Sequence, residues 1–382
     1  MASSLRLREM QVAKTAFSKM PNGISREEHV KPGLLKKHKL WVMLLAATTA
    51  SLVSMRFLVL NDRPDIKVPE AEPCQELLSN VTQPQKVNEY WGLRHVKLMQ
   101  SCHWTFNASA LAHYRTQLGH CCNASAWLAV TKENTPLGSE VVFDGYRSKR
   151  LKVSSGLREI LPEKSPFQDH LYKTCAVVGN AGILRNSSCG SQIDGYQFVI
   201  RFNLPSADFP EDVGRKSSIV TVNPSILHTR FHGLNGRRLP FVEAAASYGK
   251  TWFFIPAFSY PGNSEVSYRA LYALQDSLSH SHVFFFHPQY LSALSKYWHD
   301  RGFHTYRLSS GFMLVNAALE LCEHISLYGF WPFSLHPDGH VLPHHYYDNV
   351  LPNRRIHIMP REFAYYVDMH FRGVLRLHVG QC

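Results

Sequence analysis

With 382 residues, 45% of them hydrophobic and 12% aromatic, the chain can bury one large core or two ordinary ones, which excludes disorder throughout. Its net charge of +12 calls for an anionic partner: nucleic acid, a membrane surface or a negatively charged small molecule. Which segments face which side of a membrane decides among these.

Residues 1–39 carry nine Lys/Arg against three Asp/Glu, and Leu40–Leu60 then runs for 21 residues with Arg56 as its single charge. That run is long enough to span a bilayer, and an arginine near its end can reach the headgroups. Residues 61–76 hold five acids against two bases, so the positive-inside rule leaves 1–39 as a cytosolic tail and puts everything after 60 in a lumen. A cleaved signal peptide competes with this reading, but a 39-residue leader is long for one and no small-x-small site follows. A single-pass type II membrane protein is expected, with 40–60 as its transmembrane signal anchor, and nucleic acid is an unsuitable partner for its lumenal part.

Glycosylation sequons at Asn80, Asn107, Asn123 and Asn186 agree with a lumenal setting, whereas Asn223-Pro-Ser is disqualified by its proline. All eight cysteines, at 74, 102, 121, 122, 175, 189, 322 and 382, follow the apolar run, as expected in an oxidising compartment. No C-x-x-C pair appears, so no structural metal site is expected.

Residues 61–84, proline-rich and acidic at their start, read as a stem, and 85–382 as the lumenal catalytic domain. From 85 to 145 the patterning is mixed and predicts an irregular lead-in stapled by cysteines. After 170 apolar runs alternate with helix-like stretches: AVVG (176–179), FVIRF (198–202), SIVTV (218–222), WFFI (252–255), VFFF (283–286) and ISLYGF (325–330). Helices are predicted over Tyr290–Gly302 and Phe312–His324. Such alternation predicts an α/β fold, a Rossmann-like and mostly parallel sheet with helices on both faces.

In such sheets ligands bind off the carboxyl ends of the strands. Three successive runs end in asparagine, at Asn180, Asn203 and Asn223. Each amide can donate and accept toward a base, a ribose or a phosphate, although a lone strand-ending Asn more often makes a turn. Gly179-Asn-Ala-Gly182 lacks the third glycine of a dinucleotide fingerprint and the Lys-Ser/Thr of a P-loop, and supports only close backbone approach. Arg307-Leu-Ser-Ser-Gly311 leads into a helix, so Ser309 or Ser310 can cap it while free N–H groups face a phosphate. The C-terminal third holds HHYYDN at 344–349 and His357-Ile-Met-Pro-Arg-Glu362. Pro360 keeps His357 and Glu362 off a shared helical face, which argues against a protease-type metal site and for a general base.

Together CAVVGNAGILRNSSCGSQIDGYQFVIRFNLP, RLSSGFMLVNAALELCEHISLYGFWPF, HHYYDN and HIMPRE resemble the four ordered sialylmotifs (large, small, third and very small) of the animal sialyltransferases, across about residues 170–382. The HYYDN and YGFWPF forms look most like the α-2,8 branch. The resemblance implies a GT-A-like variant of the fold, Golgi residence, and inverting, metal-independent transfer of sialic acid from CMP-sialic acid to a sialylated glycan on glycolipid or glycoprotein. By motif, Asn180 and Asn203 would hold the donor nucleotide, Ser309, Ser310 and Gly311 its phosphate region, and Trp331 and His345 would line the donor site. His357 would be the general base, with Glu362 and Asn223 in support. Disulfides Cys175–Cys322 and Cys189–Cys382 are implied in the same way.

Residues 146–173 hold seven bases against three acids, but 275–307 only three against two; polymer-making relatives are strongly basic in both places, so short products are expected. Two other readings stand beside this one: a non-catalytic type II glycan-binding or adhesion ectodomain on the same fold, and an NAD-dependent oxidoreductase, which would lack its third glycine and ribose acid.

Overall fold

Strands rich in Val, Ile and Phe pack well in a parallel sheet covered on both faces, and the runs after residue 170 do this. In the computed structural model, which describes residues 87–168, 170–278, 282–350 and 359–382, the described part falls within one unit, Val68–Cys382. The cytosolic tail, the 40–60 anchor and the stem lie outside the described residues, as do Asn80, Cys74 and His357. Among the described residues no helix is long and apolar enough to cross a membrane.

In chain order the main elements are α1 Glu89–Ser101, α2 Ala108–Cys121, the hairpin strands β1 Glu140–Val142 and β2 Arg150–Lys152, β3 Tyr172–Val178, β4 Phe198–Arg201 and β5 Ile219–Thr221. They continue with α3 Leu239–Ala246, β6 Trp252–Ile255, α4 Pro261–Ser277, β7 His282–Phe285, α5 Pro288–His299, α6 Ser310–Leu321, β8 Cys322–Tyr328, α7 Met359–Phe371 and β9 Arg376–Leu377. Strands β3 to β9 form one sheet in the order β7-β6-β5-β4-β3-β8-β9. Every pairing in it is parallel.

The chain works outward from β3 to β7, then returns to lay β8 on the other side of β3. The gap between β3 and β8 is therefore the topological switch point, where a ligand-binding crevice forms in open sheets. Val177 pairs with Leu327 and Val178 with Tyr328, so both strands end level, at Gly179 and Gly329. The Gly179 amide donates to Tyr328 O at 2.7 Å and that of Ala181 to Gly329 O at 3.2 Å. A Cβ on Gly179 would sit 2.4 Å from Gly329 O, and Gly329 itself has φ +69°. The glycines thus serve contact between two backbones. Gly179→Ala is expected to lower stability by about 1–3 kcal/mol through overpacking. Gly119→Ala, on an exposed stretch of α2 with nothing within 4 Å, should leave the thermal midpoint unchanged or raise it. Equal midpoints for the two variants would refute the account.

Helix α6 is buried along nearly its whole length, Phe312 to Leu319 and Leu321. It starts and stops earlier than Phe312–His324. Ser309 caps it, Cys322 is already extended, and His324 lies in β8 with no loop between helix and strand. The lead-in is not irregular but forms α1 and α2. Asn88 Oδ1 accepts from Trp91 N at 2.9 Å and Asn107 Oδ1 from Ala110 N at 3.0 Å, so each helix has an asparagine cap. Few of their residues are buried (Gly92, Val96, Leu98 and Met99 in α1, Leu111 and Leu118 in α2), too sparse a stripe to show as periodicity. Helix α7 begins beside Pro360, which a first turn tolerates because its missing N–H would have no partner there. Disulfides join Cys175 to Cys322, Cys189 to Cys382, and the neighbours Cys121 and Cys122. Cys102 is also disulfide-bonded.

Candidate functional site

The site is assembled at the carboxyl ends of β3, β4, β5 and β8. Asn180 Nδ2 donates to Phe202 O at 2.8 Å, and Asn180 O accepts from Tyr346 N at 3.0 Å. Its Oδ1 is buried without a hydrogen-bond partner among the described residues. A buried acceptor left open is costly, and a ligand hydroxyl or amine would satisfy it. Asn203 has φ +61°, a conformation asparagine tolerates better than most residues. Its Oδ1 accepts from Asn223 N at 3.1 Å, and its own N–H donates to Thr221 Oγ1 at 2.9 Å. Asn180 thus ties the end of β3 to the end of β4, and Asn203 ties the end of β4 to Asn223 after β5. Asn223 helps to hold Asn203, while Asn180 keeps an open acceptor.

The second wall is the N-terminus of α6. Ser309 is buried, and its Oγ accepts from Phe312 N at 3.0 Å. Its N–H and hydroxyl both donate to Glu362 of α7, at 2.8 and 2.5 Å. Ser309 is thus spent on the cap and on Glu362 and is not available to a phosphate. Ser310 and Gly311 are half-buried, and their amides meet no acceptor among the described residues. Free amides at a helix N-terminus are suited to an anion. Arg307 is committed as well, to Asp144 Oδ2 at 2.7 Å and Ser259 Oγ at 2.7 Å.

Burial pushes the Glu362 carboxyl up to about 7, against the two bonds from Ser309 that favour its charged form. A carboxyl whose folded pKa is raised binds more protons in the native than in the unfolded state between the two values. Stability therefore falls as pH rises from about 4.5 to about 7. Glu362→Gln, which keeps an acceptor for Ser309, should remove about 3 kcal/mol of that pH dependence. Thermal midpoints of wild type and variant across this window test it; parallel curves would contradict it.

A phenyl ring joins the two walls. A Cβ on Gly179 would lie 3.4 Å from Phe330 Cδ2, and one on Gly311 3.0 Å from Phe330 Cε1. Phe330 is half-buried and packs edge-on against Phe202 and Tyr366. Trp331 does not line the site. It is 4% exposed, donates its indole N–H to Leu335 O at 2.8 Å, and packs on Phe333 and Phe363. The bend at Gly329 turns Phe330 toward the crevice and Trp331 into the core.

The HHYYDN loop closes the third side. His345 pairs through its backbone with Ala181 in the Gly179–Gly182 turn. Its Nδ1 is 2.6 Å from Asp348 Oδ2, and its ring stacks on Tyr347. A Cβ on Gly182 would meet Pro343 O at 2.2 Å, so the second glycine of the turn is needed for this loop. Sequence reasoning missed Arg185, which holds the loop through Tyr346 O at 3.0 Å, Asp348 O at 3.2 Å and Asn349 Oδ1 at 3.1 Å. It also missed Tyr346, whose hydroxyl donates to Ser206 O at 2.6 Å. Both lie within motifs quoted above, but their partners are remote in sequence, so nothing local marks what they hold.

His357 lies outside the described residues, between this loop and α7. Asn107, Asn123 and Asn186 are exposed, and the caps of Asn107 and Asn123 use only Oδ1, so Nδ2 remains for a glycan.

The family model described as glycosyltransferase family 29 (sialyltransferase) matches residues 125–374. The chain is 43% identical over 288 residues to human alpha-2,8-sialyltransferase 8E, covering 75% of this chain and 77% of that protein. It is 39% identical over 309 residues to human alpha-2,8-sialyltransferase 8F, covering 80% and 77%. A crystal structure of a mammalian sialyltransferase aligns over 82% of this chain and 87% of that one, at 18% identity and a TM-score of 0.39. By the family model and by identity over most of its length, the chain belongs to glycosyltransferase family 29, the sialyltransferases.

Proposed function

We propose that the protein transfers sialic acid from CMP-sialic acid to a sialylated glycan, forming an α-2,8 linkage with inversion. The observation that carries this reading is that the described motif segments meet at one switch point, where Asn180 Oδ1 has no partner and the Ser310 and Gly311 amides meet no acceptor among the described residues. The 39–43% identity to alpha-2,8-sialyltransferases supports the linkage.

In this reading Asn180 and Asn203 hold the nucleotide, and the Ser310 and Gly311 amides stabilise charge on the phosphate as it leaves. The bond from the sugar carbon to the phosphate oxygen breaks, with its electron pair leaving on CMP. An acceptor hydroxyl oxygen bonds to that carbon, and its proton passes to His357. CMP is already a good leaving group, so the enzyme's main tasks are orientation, proton removal and charge stabilisation, with no metal required. The net charge of +12 suits an anionic donor and an anionic acceptor. A type II anchor at 40–60 would hold this domain in the Golgi lumen.

The test incubates the full chain in detergent with CMP-sialic acid and a panel of gangliosides, sialylated glycoproteins and mucin-type glycans, with and without EDTA. Transfer onto a sialylated acceptor that EDTA does not reduce is expected. Donor binding without transfer to any acceptor would instead favour the non-catalytic glycan-binding ectodomain.

A further inference from the structure

The segment joining Trp331 to His345 carries a second constellation that the donor site leaves unused. Leu335 and Val341 bridge across a tight hairpin, where Leu342 N donates to Ser334 O and His336 N to His340 O, each at 2.8 Å. Gly339, at φ +100°, turns the tip. His336 and His340 are thereby brought to one side, their rings stacked with centroids 4.4 Å apart. Asp338 Oδ1 sits between them, 2.8 Å from His336 Nδ1 and 2.6 Å from His340 Nδ1. One ligand atom from each of the three lies within 4.8 Å of the other two.

We infer that His336, Asp338 and His340 form a binding site for a divalent transition metal, with zinc the best match. Two imidazole nitrogens and a carboxylate oxygen are a zinc donor set, and a tetrahedral ion would keep its fourth position for water. Water can reach that position, because the Asp338 and His340 side chains are 62% and 59% exposed. Magnesium and calcium prefer all-oxygen shells and fit poorly. On binding, the ion takes one nitrogen from each ring and a carboxylate oxygen of Asp338, in place of the contacts those atoms make among themselves, including the hydrogen bond that His336 Nδ1 accepts from Asp338 N at 3.3 Å.

The base of the hairpin is fixed without any metal. Glu89 Oε1 accepts from Leu335 N at 2.7 Å and Ser334 Oγ at 3.0 Å, and Trp331 Nε1 donates to Leu335 O at 2.8 Å. The three ligands therefore stand on a held frame. The bound ion staples the tip of the segment that leads to His345 and takes no part in transfer, so the site stands or falls independently of the transferase reading.

Zinc titrated into the full chain in detergent, followed by calorimetry, should show a site that His336→Ala and His340→Ala each weaken by more than about tenfold, the least that loss of even an outer-shell partner brings. Cobalt in place of zinc should give the intense d–d absorption of tetrahedral coordination in wild type and lose it in both variants. Zinc should raise the thermal midpoint of wild type and not that of the variants. His340→Gln, at an exposed ring, serves as a second variant should His336→Ala unfold. An absence of zinc binding, or an isotherm unchanged in the His336→Ala/His340→Ala double variant, would overturn the inference.

Discussion

Replacing His357 with alanine is expected to lower the transfer rate about 10²–10⁴-fold, the usual contribution of a positioned general base. Affinity for CMP-sialic acid should change little, because the groups assigned to the donor are Asn180, Asn203, Ser310 and Gly311. The variant should also lose the acidic limb of the pH–rate profile, where wild-type activity falls as the imidazole takes up a proton and can no longer accept one. A purely structural role for His357 would leave the shape of that profile intact. Glu362, five residues on in the sequence and within α7, is bonded to Ser309 at the N-terminus of α6. Undiminished turnover by the variant would remove the base assignment while leaving the donor site standing.

Removing the Cys175–Cys322 disulfide with two alanines should lower stability by about 2–5 kcal/mol. The link closes a sequence separation of 147 residues between β3 and β8, the strands that flank the switch point. The Cys189–Cys382 link closes 193, and chain entropy alone separates the two losses by only about 0.2 kcal/mol. Burial acts in the opposite sense and outweighs that difference. Cys175 and Cys322 are 0% and 1% exposed, so losing both sulfurs leaves a cavity between sheet and helix. Cys382 is exposed at the chain end, where the gap can relax. The β3–β8 pair should therefore show the larger drop in thermal midpoint under identical conditions. The reverse order would mean that the C-terminal link, rather than the core link, holds the domain.

The six apolar runs after residue 170 all became strands, because alternation of β-branched and aromatic runs with helix-forming stretches is a local property that burial on both faces reinforces. The placing of a site at the carboxyl ends of those strands, and the asparagines at three of them, could be read from the sequence for the same reason. Helices α1 and α2 could not, since a handful of buried side chains in a polar stretch makes no visible stripe.

Within the site the division is sharper. A Ser-Ser-Gly sequence before an apolar helix announces an anion-binding helix end, yet only the fold brings Glu362 across 53 positions to occupy Ser309 and leaves Ser310 and Gly311 open. Likewise YGFWPF offers two adjacent aromatics, and residue type alone favours the tryptophan. The positive φ at Gly329, set where β8 ends against Gly179, turns Phe330 to the crevice and Trp331 to the core. Residue types and their spacing determined which chemistry this protein can host. Which copies of those residues are free to perform it was decided by tertiary contacts, because a hydrogen bond or a buried ring is satisfied by whatever group the fold brings near, however distant in the chain.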